Sequence, residues 1–235
     1  MQNIKLLIVG AGSIGKRHIG NALKIGLSKE NIIVVDTRKD RLEEVKKLGI
    51  KLFFNDFDKA IKEDFDAGII CSPTSLHIKH SIKLAELKKH LLIEKPLASN
   101  LEGVKNLSKI VKKNNLTTMI AYVFRFAPSI KFVKEKLNKK EIGKILYLRG
   151  EFSEYLPDWH PYEDYRTFYM ASKEQGGGSI LDQCHIMDLA HFFIGEFTSV
   201  SALNLKVSNL EIKADDICEM IIKHKNGVIS SIHTD

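Results

Sequence analysis

The chain has 235 residues, a formal net charge of +7 and 44% hydrophobic residues, a profile that allows one large core or two modest ones. No run approaches the ~18 apolar residues of a membrane span, and the lysines are scattered along helix faces among acids, which argues against a nucleic-acid surface. Cys71, Cys184 and Cys218 show no CxxC spacing, so a disulfide framework and structural zinc are disfavoured and a cytoplasmic location is expected.

Six short apolar runs come first: IKLLIVG (4–10), NIIVVDT (31–37), KLFF (51–54), AGIICS (67–72), LLIEK (91–95) and TTMIAYV (117–123). Stretches with helical spacing, such as KRHIGNALKIG and LHIKHSIKLAELKK, lie between them. Continuous rather than alternating apolar strands, separated by helices, predict a parallel sheet covered on both faces. That is a doubly wound α/β domain over residues 1–123.

The pattern changes after Pro128. A helix, APSIKFVKEKLNKKEIG, leads to the alternating strand KILYLRGEFSEYL, an aromatic loop, a helix over SILDQCHIMDLAHFFIG and further alternating strands. Asn226-Gly227, set between two such runs, reads as a hairpin turn. Residues 124–235 are therefore expected to form an α+β domain with an open, mostly antiparallel sheet. The sequence stops at Asp235 directly after a strand pattern, and because folded proteins usually cover such an edge, a C-terminal truncation is expected.

VGAGSIGKRHIG sets Gly10, Gly12 and Gly15 in GxGxxG spacing between the first strand and the first helix. Gly10 permits the turn, Gly12 a close pyrophosphate and Gly15 tight helix packing. The helix N-terminus, with Ser13 and Ile14, offers N–H groups to phosphates. Asp36 ends the second strand where a carboxylate can bond an adenosine ribose, which favours NAD. Arg38, two residues on, suits a 2′-phosphate and keeps NADP open.

CSPTSLH follows the fourth strand, where ligands of open parallel sheets gather. Ser72, Thr74 and His77 are candidate cofactor contacts, with Pro73 stiffening the turn; Cys71 reads as buried filler inside the same stretch. The alternative is that Thr74 or Ser75 merely caps the next helix. Lys95 ends the fifth strand on the same sheet edge. Desolvated beside a nicotinamide, its pKa would fall, which suits a group that exchanges a proton with a hydroxyl. Glu94 would position the ammonium and Pro96 the backbone; a lysine simply reaching solvent is the bland alternative.

The second cluster is EQGGGSILDQCHIMDLAHFFIG. Gly176 to Gly178 admit a close backbone approach, and Asp182 and His185, three apart on one helix, share a face. Asp188 completes no HExxH-type pair, so no metal is expected. A core histidine is the competing reading for His185. In the aromatic loop, Trp159, Tyr165 and Arg166 are placed to stack on and bond a sugar, or Trp159 pins the loop. Arg125 is assigned to cofactor, substrate or the domain junction.

GAGSIGKRH, EKPLA, AYVFRFAPSIKFVKEKLNKKEIGKI and GGGSILDQCHIMDLAHFFIG together resemble the Gfo/Idh/MocA family of NAD(P)-dependent oxidoreductases acting on sugars and polyols. The resemblance spans the chain and implies a Rossmann domain followed by an α/β domain used for homo-oligomerisation through its sheet. It also implies a catalytic Lys95 completed by Asp182 and His185. The family commonly spaces that acid and histidine by four; here the spacing is three. A branch with a similar YLPDW loop shares this spacing and is associated with surface-glycan and nonulosonic-acid sugars, which implies a sugar-derivative substrate. The expected function is hydride transfer between a sugar hydroxyl and NAD, with a non-catalytic dinucleotide sensor as the alternative and with neither nucleic acid nor membrane as partner. The expectation that carries most weight is that the Lys95 ammonium and the His185 imidazole meet across a nicotinamide.

Overall fold

The computed structural model describes residues 4–159, 161 and 163–235; His160 and Tyr162 of the aromatic loop lie outside them. The chain divides into two units, one ending at Ala121 and the other starting at Tyr122.

In the first unit, strands alternate with helices: β1 (Leu6–Val9), α1 (Ser13–Lys24), β2 (Ile32–Val35), α2 (Lys39–Lys47), β3 (Leu52–Phe54), α3 (Phe57–Ala60), β4 (Ala67–Ile70), α4 (Thr74–Glu86), β5 (His90–Ile93), α5 (Val104–Lys113) and β6 (Thr118–Ile120). The strands form one sheet in the order β3-β2-β1-β4-β5-β6, and every pairing is parallel. Strand alternation explains the continuous apolar runs. Leu7, Val9, Ile33 and Val35 pack on one face with Leu84 and Leu107, whereas Ile8, Ile32 and Val34 pack on the other with Ile19 and Val45. Both faces of the central strands β1, β2 and β4 are dry, so their positions are selected for apolarity, each such side chain contributing about 1.5–3 kcal/mol on burial.

Two expected boundaries move. The fifth strand ends at Ile93, two residues before Lys95, because Glu94 N–H gives the last ladder bond to Ile70 O (2.9 Å). The sixth strand stops at Ile120, and Val123–Phe126 instead forms a 3-10 turn of the second unit.

The second unit contains α6 (Pro128–Asn138), β7 (Tyr147–Phe152), α7 (Ser179–Asp182), α8 (His185–Ile194), β8 (Phe197–Leu205), β9 (Ile217–His224) and β10 (Ile229–Thr234). Its sheet runs β7-β10-β9-β8. The Asn226-Gly227 hairpin joins β9 and β10 as expected: Gly227 has φ +86° and Asn226 Oδ1 accepts from Val228 N–H (3.1 Å). Two pairings are antiparallel, but β7 runs parallel to β10. A small core of Ala190, Cys218, Met220, Ile222 and Ile232 lies under one sheet face. The opposite face exposes Leu203, Leu205, Ile221, Ile229 and Tyr147.

The helix expected across residues 179–194 is two helices. Gln183 (φ −91°, ψ 22°) leaves helical geometry, and Ile186 N–H reaches back only three residues to Gln183 O. Asp182 ends one segment and His185 begins the next, so the two do not share the face of one regular helix. All three cysteines are free and buried, and among the described residues no helix is long and apolar enough to cross a membrane.

Candidate dinucleotide and substrate site

β1 hands its backbone to the glycine loop when Gly10 N–H bonds Val35 O (2.7 Å). Gly10 has φ +100°, and a Cβ there would stand 2.5 Å from Cys71 O; a Cβ on Gly15 would stand 2.0 Å from Gly10 O. Both positions exclude a side chain, and the result is α1 seated hard against the loop. Lys16 N–H makes the first intrahelical bond, to Gly12 O (3.0 Å), so the N–H groups of Ser13, Ile14 and Gly15 face the loop mouth without an intrahelical acceptor. This cradle fits a pyrophosphate.

Asp36 is 7% exposed. Its Oδ2 accepts from Ala11 N–H (2.7 Å) and its Oδ1 from Arg38 N–H (2.8 Å), tying the end of β2 to the loop. The Arg38 guanidinium turns to Asp40, whose carboxyl it holds down at about 2. Sequence reasoning passed over Arg41. Its Nη1 lies 3.4 Å from Asp36 Oδ2 and 3.6 Å from the position a Gly12 Cβ would take. The signal was helical register, since the first turn of α2 returns over the loop.

After β4, Pro73 occupies the N-cap of α4 and supplies no side-chain bond; neither Thr74 nor Ser75 caps the helix, which corrects that alternative. Thr74 is buried in the first turn. Ser72 Oγ contacts His80 Nδ1 (3.0 Å), and burial pushes the Cys71 thiol up. His77 is 2% exposed, with Nδ1 2.8 Å from Pro96 O and Nε2 2.8 Å from Ser72 O.

Lys95 lies two residues beyond β5, half-buried at the carboxyl edge of the parallel sheet. Its neighbour Glu94, 7% exposed, meets His18 Nε2 of α1 at 2.7 Å through Oε1. The other oxygen of Glu94, Oε2, accepts from Lys95 N–H (3.2 Å).

In the second unit, Asp182 is 5% exposed and its Oδ1 accepts from Tyr169 OH (2.5 Å). His185, 8% exposed, stacks on Phe124 (4.3 Å, 19°) with Tyr122 edge-on at 6.0 Å. Burial raises the Tyr122 phenol. Arg125 forks onto Asp188, Nε to Oδ2 at 2.8 Å and Nη2 to Oδ1 at 2.5 Å, and this pairing raises the guanidinium's pKa.

The backbone that the glycine run approaches belongs to the same unit, since a Cβ on Gly177 would stand 2.3 Å from Tyr169 O. A cavity of about 430 Å³ is lined by Trp159, Asp182, Gln183, Leu210 and Asp215 among others. His185 is not in its lining. The buried Trp159 Nε1 has no hydrogen-bond partner among the described residues. Tyr165 OH instead accepts from Glu211 N–H (3.3 Å), and Arg166 pairs with Asp164 and Glu211.

Residues 4–122 match the oxidoreductase family with an NAD-binding Rossmann fold, and residues 130–235 match the GFO/IDH/MocA C-terminal domain. The chain is 31% identical over 236 residues to myo-inositol 2-dehydrogenase of Thermotoga maritima, covering 97% of this chain and 67% of that protein. It is 29% identical over 215 residues to levoglucosan dehydrogenase of Pseudarthrobacter phenanthrenivorans, covering 86% and 54%. Among solved structures, levoglucosan dehydrogenase in complex with NADH and levoglucosan superposes with a TM-score of 0.84 at 25% identity, over 99% of this chain and 66% of that one. The WlbA dehydrogenase from Bordetella pertussis, in complex with NADH and UDP-GlcNAcA, shares the fold with a TM-score of 0.85 at 22% identity, over 99% and 72%. The chain thus spans little more than half of one curated relative and about two thirds of the other. Matched by both domain profiles in order, it belongs to the GFO/IDH/MocA oxidoreductase family.

Proposed function

We propose that the protein is an NAD(P)-dependent oxidoreductase that moves a hydride between a hydroxyl carbon of a sugar or sugar derivative and a nicotinamide. The observation that carries this reading is the neighbourhood of Lys95. The residue follows β5 at the carboxyl edge of the sheet, beyond strands that continue through β4 to the glycine loop of β1. Open parallel sheets bind ligands at that edge, where strand order reverses. The named relatives, dehydrogenases of myo-inositol and levoglucosan, support the substrate class.

The nicotinamide supplies the hydride chemistry when bound. Gly10, Gly12, Ser13, Ile14 and Gly15 would hold the pyrophosphate of the dinucleotide, and Asp36 would accept from its adenosine ribose hydroxyls. Lys95 takes the hydroxyl proton as the carbinol becomes a carbonyl and returns it in the reverse direction. His185, whose ring is fixed by the Phe124 stack, orients the alcohol, and Asp182 holds substrate or histidine. Trp159 would offer a ring face to a sugar, and its N–H, which has no partner among the described residues, a hydrogen bond. Homo-oligomerisation belongs to the same reading, through the exposed apolar face carrying Leu203, Leu205, Ile221 and Ile229.

The test is NADH formation from NAD with myo-inositol, levoglucosan, D-xylose and glucose 6-phosphate, and NADH oxidation with the matching ketones. Lys95→Ala is expected to lower kcat by ~10²–10⁴ with little change in NAD affinity. Turnover undiminished in Lys95→Ala would remove the mechanism. NAD binding without turnover of any of these compounds would favour the sensor.

A further inference from the structure

The last backbone bond between β4 and β5 is Glu94 N–H to Ile70 O. Beyond it the two chains part, and both Ser72 and Lys95 lie past that point. His77 takes over where the ladder stops. From the first turns of α4 its ring reaches the carbonyl of Ser72 with one nitrogen and the carbonyl of Pro96 with the other, each at 2.8 Å. Pro96 is the residue directly after Lys95, so the ring grips the peptide that follows the lysine. On the other flank, Glu94 is held by His18 of α1 at 2.7 Å and itself accepts the Lys95 N–H. The backbone of Lys95 is therefore braced on one side by the buried His77 and on the other by Glu94, which the part-buried His18 holds.

We propose that His77 is a positioning residue: it clamps the ends of β4 and β5 together and so sets where the Lys95 ammonium stands over a bound nicotinamide. At 2% exposure, with both ring nitrogens engaged by the protein's own carbonyls, His77 is not available to the cofactor, the role its place in the CSPTSLH stretch suggested. The inference rests on Lys95 being the proton-exchanging group. A lysine amine hangs on a long flexible stem, so its place depends on how its backbone is aimed, and a displacement near 1 Å at a reacting group costs about 100-fold in rate.

The donor inventory shows why only certain side chains can do this. A carbonyl oxygen only accepts, so the neutral ring donates to one carbonyl at a time and the imidazolium, with an N–H on each nitrogen, bonds both. Burial pushes the pKa of His77 down, while the two carbonyls and the charge of Glu94 act in the opposite sense. Phenylalanine fills the same space with no donor. Glutamine brings an amide with two.

The experiment uses the full chain and needs no known substrate. Reductive methylation with labelled formaldehyde places an NMR reporter on each lysine, and the Lys95 signal is identified by its loss in Lys95→Arg. In the wild type, saturating NAD should shift that signal. In His77→Phe, NAD should bind with a Kd within about threefold of wild type, yet the Lys95 shift should vanish. His77→Gln should restore it, and kcat should follow the same order on any polyol the wild type oxidises, falling about 10- to 100-fold in the phenylalanine variant with KM for NAD little changed. A full Lys95 shift in His77→Phe overturns the proposal. So does a loss of NAD affinity beyond about tenfold in both variants, since His77 would then be a cofactor contact. A wild-type Lys95 signal indifferent to NAD would instead refute the hydride-transfer reading beneath it.

Discussion

Arg125 and Asp188 are 63 residues apart and meet through two parallel bonds of 2.8 and 2.5 Å, fork to fork. The Asp188 carboxylate is almost wholly buried and the guanidinium about one-third exposed, lying over the rings of Phe192 and Tyr122. The pair fastens the 3-10 turn before α6 to α8, the helix that begins at His185. Asp188→Ala leaves a partly buried cation without its partner and is expected to destabilise the second unit by about 2 kcal/mol. Arg125→Lys, which cannot fork, should recover little of the pairing that arginine makes. The change in urea midpoint of each variant measures both.

Two glycines of α1 make opposite predictions from the same substitution. At Gly15 a new Cβ would meet the Gly10 carbonyl at 2.0 Å, whereas at Gly20 nothing lies within 4 Å. Gly15→Ala must push α1 away from the loop, and NAD affinity should fall by at least ~10-fold as the phosphate cradle opens. Gly20→Ala only removes helix-opposing freedom and should stabilise by about 0.5–1 kcal/mol, with affinity unchanged. Calorimetric titration with NAD and thermal melting separate the two.

Much of the first unit was legible before any coordinates. Its central strands are buried on both faces, so their apolar runs are uninterrupted, and glycine spacing marks the loop that follows β1. Lys95 drew notice as a lysine directly after a buried strand, and the structure places it two residues beyond β5. The partners of these residues were not legible. His18 with Glu94, His77 with two carbonyls and Arg41 over Gly12 depend on which helix packs against which strand end. The break at Gln183-Cys184 escaped because the apolar spacing runs straight through it, and the parallel pairing of β7 with β10 because it joins residues some eighty apart.

His80 provides a pH signature for the first unit. Burial, with Lys79 and other nearby cations, lowers its pKa from 6.5 to about 4. The folded chain then resists a proton that the unfolded chain accepts. Stability is fully present above pH 6.5, declines as pH falls from 6.5 towards 4, and levels off below. With allowance for partial exposure the loss is about 2 kcal/mol. His80→Phe keeps the contact with the Phe57 ring at 4.3 Å but cannot titrate. Its urea midpoint should fall less than that of the wild type between pH 7 and 4.5, and parallel curves would show that His80 titrates normally.

Cofactor choice should turn on Arg41 rather than Arg38. If Asp36, a buried carboxylate at the end of β2, accepts from the ribose as proposed, it repels a 2′-phosphate, and this predicts a preference for NAD. The Arg38 guanidinium is turned to Asp40, while that of Arg41 stands over Gly12 within 3.4 Å of the Asp36 carboxylate. Removing the repulsion with Asp36→Ser should therefore leave a cation already aimed at the phosphate. NADP affinity should rise by ~10-fold or more relative to NAD. Adding Arg41→Ala to that background should abolish the gain, and adding Arg38→Ala should not. Dissociation constants for both cofactors in the four proteins decide the matter, and a gain that survives the loss of Arg41 but disappears with Arg38 would return the role to the residue that the sequence alone suggested.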